Sequence, residues 1–152
     1  MKKLFTVVFY SLIGLGAMST LAHAQLLDQK FASNSGLSPS KEVSQEVRNV
    51  EALKKLKAKA GSVAVYAKGL CCPSCSLGVR KKVSVLGFVD VEKPKSGVEI
   101  DAKNQLVLIA VKPGSNIDMK VLSKAVDDAG YPAVHLYSIK DGQLVTKPFA
   151  VN

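Results

Sequence analysis

An α+β fold built on one antiparallel sheet is predicted by three features of this 152-residue chain. Short apolar or alternating runs recur at 62–68, 88–92, 106–111 and 133–139. Stretches with apolar residues at helical spacing separate the first run from the second and the third from the fourth. Glycine or proline punctuates the junctions. From Ser62 the order reads strand, helix, strand, strand, helix, strand. In so short a chain that order places both helices on one face of a four-stranded sheet, the ferredoxin-like βαββαβ sandwich. An extra N-terminal helix precedes it and a C-terminal hairpin follows.

Residues 1–24 read as a signal peptide and stand outside the fold. Lys2 and Lys3 open the chain, Leu4 to Leu21 is apolar apart from small hydroxyl residues, and Ala22-His23-Ala24 is a small-x-small cleavage site. An uncleaved anchor is the competing reading, because the apolar run is at the edge of spanning length. Cleavage makes Gln25 the first residue and leaves no stable membrane anchor. Gln25 is not a cysteine, so nothing supports a lipoprotein. Removal of 24 residues leaves 128 of 152, enough for one small domain and an extension. It takes away two lysines and no acid, so the formal charge falls from +9 to +7. For a periplasmic chain a basic surface means acidic protein partners rather than nucleic acid.

Gln25 to Pro39 is a polar leader, and residues 25–61 as a whole read as leader plus helix. Ser38-Pro39 has the form of an N-cap and first helical residue. Ser40 to Ala60 lacks Gly and Pro, and Gly61 closes it. Val43, Val47, Val50 and Leu53 fall within about 120° of arc on a helical wheel, with Leu56 further round. This helix either packs on the domain or joins two chains, so the chain is a monomer or weak dimer. Lys54, Lys55, Lys57 and Lys59 suit a helix C-terminus.

Ser62 to Lys68 alternates, with Val63, Val65 and Ala67 on one side and Ala64 and Tyr66 on the other. Pro73 to Leu86 reads as a helix with an apolar face of Leu77, Val79, Val83 and Leu86, ended by Gly87. Phe88 to Glu92 is the second strand, interrupted at Lys93-Pro94-Lys95-Ser96-Gly97 and resumed at Val98 to Ile100. Asp101 to Asn104 turns into the strand Leu106 to Val111. Asn116 caps a second helix with Ile117, Val121, Leu122, Ala125 and Val126 facing the core. Ala133 to Ile139 is the last strand of the domain, residues 62–139. Asp141-Gly142 signals a hairpin, folding Leu144 to Val151 back within the 140–152 extension.

All three cysteines lie within five residues, Cys71-Cys72-Pro73-Ser74-Cys75, between the first strand and its helix. A disulfide inside so short a loop closes almost no chain and stabilises little. Metal or redox chemistry is what remains. A helix beginning at Pro73 puts Cys75 in its first turn and Cys72 just before it, so two sulfurs can converge. Thiolates select Cu(I), Hg(II), Zn(II) and similar soft ions. Two sulfurs suit linear Hg(II) and can hold Cu(I), whereas structural Zn(II) wants four ligands. The helix N-terminus and Lys68, Arg80 and Lys81 favour the thiolate form. Cys71 is open to three readings: a third ligand, giving trigonal sulfur coordination suited to Cu(I), As(III) or more tightly held Hg(II); a resolving thiol; or a small buried apolar group. After residue 24, His135 and Met119 are the other soft donors, and their places in strand and helix argue for structural roles.

These residues carry a family likeness. Gly69 to Cys75 resembles the G-M-x-C-x-x-C loop of heavy-metal-associated domains, the modules of copper chaperones and metal-pumping ATPases. Val79, Val83, Leu86 and Val89 fall where that family places core residues, and Asp128-Ala129-Gly130-Tyr131-Pro132 resembles its loop before the last strand. The nearest type is its periplasmic mercury-binding members, and the likeness spans about Ser62 to Tyr137. Leu70 replaces the usual methionine, which packs under the loop. Cys71 replaces a polar residue, and the connection between the second and third strands is longer than usual. The resemblance implies Cys72 and Cys75 as metal ligands and Tyr131 as a shield for the site, although core packing explains Tyr131 equally well.

The expected function is periplasmic binding and transfer of Hg(II) or Cu(I) by ligand exchange, with a membrane metal transporter or another thiol-bearing carrier as partner. No general base, nucleophilic triad or phosphate-binding loop is visible, so no enzyme is expected beyond thiol chemistry. The alternative is a periplasmic thiol-disulfide oxidoreductase using Cys72 and Cys75. A third reading makes the chain a sensor or adaptor whose leader helix binds a transporter.

Overall fold

The computed structural model of the chain describes residues 42–150. The signal segment, the polar leader, the Ser38-Pro39 cap and Val151 lie outside the described residues. Among the described residues, three α-helices, one short 3-10 turn and five strands make up the α+β architecture. Helix α1 is Gln45–Ala58, α2 is Pro73–Val83 and α3 is Met119–Asp127. The strands are β1 Ser62–Ala67, β2 Val98–Asp101, β3 Leu106–Ala110, β4 Ala133–Lys140 and β5 Gln143–Pro148. They form one sheet in the order β2-β3-β1-β4-β5, with every neighbouring pair antiparallel.

The alternation of β1 divides the interior in two. Val63, Val65 and Ala67 enter a core shared with Leu70, Val79, Val83, Leu122 and Val126, beneath α2 and α3. Ala64 and Tyr66 enter a second core with Leu106, Leu108 and Tyr137, covered by Ala52 and Leu56 of α1. The sheet is therefore packed on both faces, which is why β1 and β3 are almost wholly buried along their length. Between Tyr66 and Ala67 the register with β4 slips by a bulge. Val134 is the extra residue, and it packs on the α1 side. At the far end of β4, Asp141 and Gly142 adopt φ +52° and +78°, the geometry of a two-residue hairpin, and β5 extends the sheet.

Several expectations are corrected here. Helix α1 starts at Gln45 with Ser44 as its cap, so Val43 precedes it. Its buried face is Arg48, Ala52 and Leu56, whereas Val47 and Val50 are 48% and 64% exposed. The sheet beneath is filled by two tyrosines and two leucines. The helix approaches such a surface through a small residue, Ala52, with the Arg48 guanidinium carbon 3.7 Å from the Tyr66 ring centre. On α2, Val79 and Val83 are buried but Leu77 is 61% exposed. The cap of α3 is Asp118 rather than Asn116; its carboxylate accepts from the N–H groups of Lys120 and Val121 at 2.9 and 3.1 Å. Val121 faces outward.

The second strand lies later than predicted. Residues 88–92 form only a single bridge, Val89 to Val111, beside the end of β3. Pairing starts at Val98, after Lys95, Ser96 and Gly97 have all taken positive φ. Residues 102–105 make a tight turn between β2 and β3. The long connection therefore lies between α2 and β2, not between the second and third strands.

Candidate thiol site

The cysteine loop leaves the end of β1 at the edge of the α2/α3 core. The Lys68 N–H donates to the Pro132 carbonyl at 2.9 Å, tying this loop to the one before β4. Gly69, at φ +82°, turns the chain out of the strand through a conformation that side chains disfavour. Leu70 then drops into the core and is completely buried, while its N–H donates back to the Ala67 carbonyl at 3.3 Å. An apolar side chain is what a fully buried place under the loop requires.

With Leu70 inside, Cys71 is left outside, exposed and free. Its reading as a buried apolar group is corrected by that exposure. Cys72 is half-buried and takes part in a disulfide. Helix α2 begins at Pro73, whose missing N–H costs nothing at a first helical position. The Ser76 N–H donates to the Cys72 carbonyl at 3.3 Å, so Cys72 leads directly into the helix. The Ser74 hydroxyl lies 3.3 Å from the Cys72 sulfur. A disulfide sulfur has no proton to give, so the hydroxyl is the donor. Cys75 occupies the first turn of α2.

The positive end of α2 faces this loop, and no acid sits in the first turn. The cations expected to help are mostly committed elsewhere. Arg80 Nε donates to the Val98 carbonyl at 3.1 Å, and Lys68 Nζ lies 3.8 Å from Glu42. Lys81 is exposed, roughly 12 Å along the axis from the start of the helix. The backbone dipole, not these side chains, is the main local source of positive potential.

Tyr131 is half-buried and packs on the α2/α3 core. Burial pushes its hydroxyl pKa up, and the negative charge of a Cys71 thiolate pushes it further. It therefore both fills the core and borders the thiol loop. Met119 packs against the same core. His135 is on the opposite face, its ring centre 6.3 Å from that of Tyr66 and 6.2 Å from that of Tyr137. The fold does not bring it to the cysteines. Among the described residues, no group of three or more His, Cys, Asp or Glu side chains gathers, and a two-thiolate site falls below that number.

One cluster went unanticipated. The Tyr66 hydroxyl donates to Glu42 at 2.7 Å, Arg48 covers the Tyr66 ring, and Arg48 also donates to the Val43 carbonyl. The available signal was an arginine in phase with Ala52 and Leu56, four and eight residues on. Comparison with protein-family models, with curated proteins and with solved structures returns no match to this chain.

Proposed function

We propose that the chain is an exported soft-metal carrier that binds Hg(II) or Cu(I) through Cys72 and Cys75 and passes it on by ligand exchange. One observation carries the reading: three cysteines lie within five residues where a loop enters α2, a junction anchored by buried Leu70 and by the Lys68–Pro132 hydrogen bond yet open to solvent at Cys71. A rigid support under an exposed, sulfur-rich loop suits a site that must be reached by another protein's thiols. The sequence order from β1 to β4, with β4-β1-β3-β2 as neighbours, supports a ferredoxin-like core extended by α1 and β5. The signal-like start supports the periplasm as its location.

Cys72 must first be reduced. A dithiol donor attacks the disulfide, forms a mixed disulfide and leaves as its own disulfide, delivering two electrons and two protons. Binding Hg(II) to the two thiols then releases two protons, and the metal keeps its oxidation state. An incoming thiolate adds to the ion, a protein thiolate leaves, and a second exchange completes transfer.

The disulfide at Cys72 favours one other reading, a thiol-disulfide oxidoreductase. The two are separated by anaerobic titration of the reduced chain with Hg(II), Cu(I), As(III) and Zn(II), beside an insulin-reduction assay. One tightly bound Hg(II) or Cu(I) per chain with negligible reductase turnover is expected. Rapid insulin reduction without metal affinity reverses the assignment.

A further inference from the structure

The outer face of α1 has no role in the carrier reading, and its composition is ordered. Viewed down the axis, Glu46, Val47, Val50, Leu53, Lys54 and Lys57 lie within about 60° either side of Val50. Val47 and Val50 are 48% and 64% exposed, Leu53 is half-buried, and the three charged residues are exposed. The acids of the helix, Glu46 and Glu51, lie in its first half, and Lys54, Lys55 and Lys57 in its second. A helix with apolar residues at its middle and opposite charges at its ends is complementary to itself when the second copy runs antiparallel.

We propose that this face binds a second copy of the chain, forming a weak twofold dimer by antiparallel α1–α1 packing. A twofold axis through Val50 pairs Val50 with Val50 of the second copy, Val47 with Leu53, and Glu46 with Lys54. The last two contacts each occur twice, as an isologous interface requires. A parallel arrangement sets acid against acid and lysine against lysine, so charge selects the direction. The intrahelical Lys54–Glu51 contact, at 3.9 Å and with Lys54 largely exposed, is too loose to hold Lys54 back from the second copy. The patch is small and partly polar, which places it among transient interfaces, with dissociation on the order of 10⁻⁴ M or weaker. Helices α2 and α3 lie across the sheet from α1, so the dimer leaves the thiol loops of both copies uncovered.

Sedimentation equilibrium of the chain after signal removal, up to about 1 mM, tests this. A monomer–dimer equilibrium that weakens with salt is expected, because exposed ion pairs are screened. Glu46→Lys and Lys54→Glu each weaken the dimer about tenfold, and the double charge swap restores it. Circular dichroism confirms that each variant is folded, which matters for Glu46 because it also sits in the first turn of α1. Val50→Lys places two like charges on the axis and abolishes association. A chain monomeric at all concentrations overturns the proposal. So does a dimer that Val50→Lys leaves intact, or one that the double swap fails to rescue.

Discussion

At φ +72°, Gly97 packs against Asp90, and a Cβ added there would lie 2.2 Å from the Asp90 carbonyl oxygen. That oxygen belongs to backbone which is itself pinned, since the Asp90 N–H donates to Ala110 at 2.9 Å. Neither the conformation nor the contact tolerates a side chain, so Gly97→Ala should cost about 2–4 kcal/mol in urea unfolding. A change below about 0.5 kcal/mol would mean that the turn is not held as described. At the thiol loop, the burial of Leu70 sets where its neighbour points. Adjacent residues in an extended segment face opposite ways, and Cys71 is exposed accordingly. In the carrier reading, Cys71→Ser should therefore keep one Hg(II) per chain and two sulfurs around the metal by X-ray absorption. A fall from three sulfurs to two would make Cys71 a ligand. This much was legible beforehand in part: the loop and its cysteine pair stood out from spacing, whereas the exposure of Cys71 depends on a core that spacing does not reveal.

Helix α1 shows what an element's sequence conceals. Its existence followed from composition, yet its docking face did not, because two valines at helical spacing looked more apolar than Arg48, Ala52 and Leu56. An arginine counts as polar in any wheel, but here its guanidinium lies on a tyrosine ring. The same limit moved the second strand: Phe88 to Glu92 reads as strand, and the positive φ of Lys95 and Ser96 that delays pairing leaves no mark in side-chain type. Electrostatic contacts hold α1 down at both ends. Lys55 lies 3.1 Å from Asp101, Lys59 pairs with Glu99, and Tyr66 donates to Glu42. Burial raises the Asp101 carboxyl, but hydrogen bonds from Asn104 and Lys55 outweigh it and hold the group below 3.8. The Lys59 hydrogen bond holds Glu99 below 4.5. Carboxyls held down in the folded chain stabilise it above those ordinary values and lose that contribution as pH falls through the lower native ones. Asp101→Asn combined with Glu99→Gln should thus flatten the loss of stability below about pH 4.5, as read by denaturant midpoints across pH. An unchanged slope would place the acid sensitivity elsewhere. At the other extreme, burial and then the Glu42 hydrogen bond push Tyr66 up to about 12. A raised tyrosine stabilises below its ordinary value of 10.0 and ceases to as pH climbs toward the native one. Tyr66→Phe should cost at most about 1 kcal/mol at neutral pH, since Glu42 is exposed to solvent, and should remove that part of the alkaline destabilisation.

Across the whole molecule, order along the chain was more legible than contact across it. The α+β class, a single antiparallel sheet and the closing hairpin are present as read, because period and turn residues are local signals. That α1 would cover the second face of the sheet, burying Tyr66 and Tyr137 between layers, is a long-range fact that no local pattern encodes. The thiol loop stands on a sheet supported from both sides, so a metal held there, as the carrier proposal has it, should add to a stable fold rather than create one. In the carrier reading that stabilisation also depends on redox state, because thiolates coordinate and a disulfide does not. Reduced by a phosphine, the chain should gain about 2.7 kcal/mol at free Hg(II) a hundredfold above its dissociation constant. For a domain of this size that is a rise on the order of 10 °C in melting temperature. The oxidised chain and a Cys72→Ser/Cys75→Ser variant should show no such rise in differential scanning calorimetry. Equal stabilisation of all three would mean that Hg(II) binds elsewhere on the surface, and stabilisation of the oxidised chain alone would detach the metal from this loop. Stabilisation confined to the reduced native chain would join the anchored loop, its disulfide chemistry and its cargo in one site.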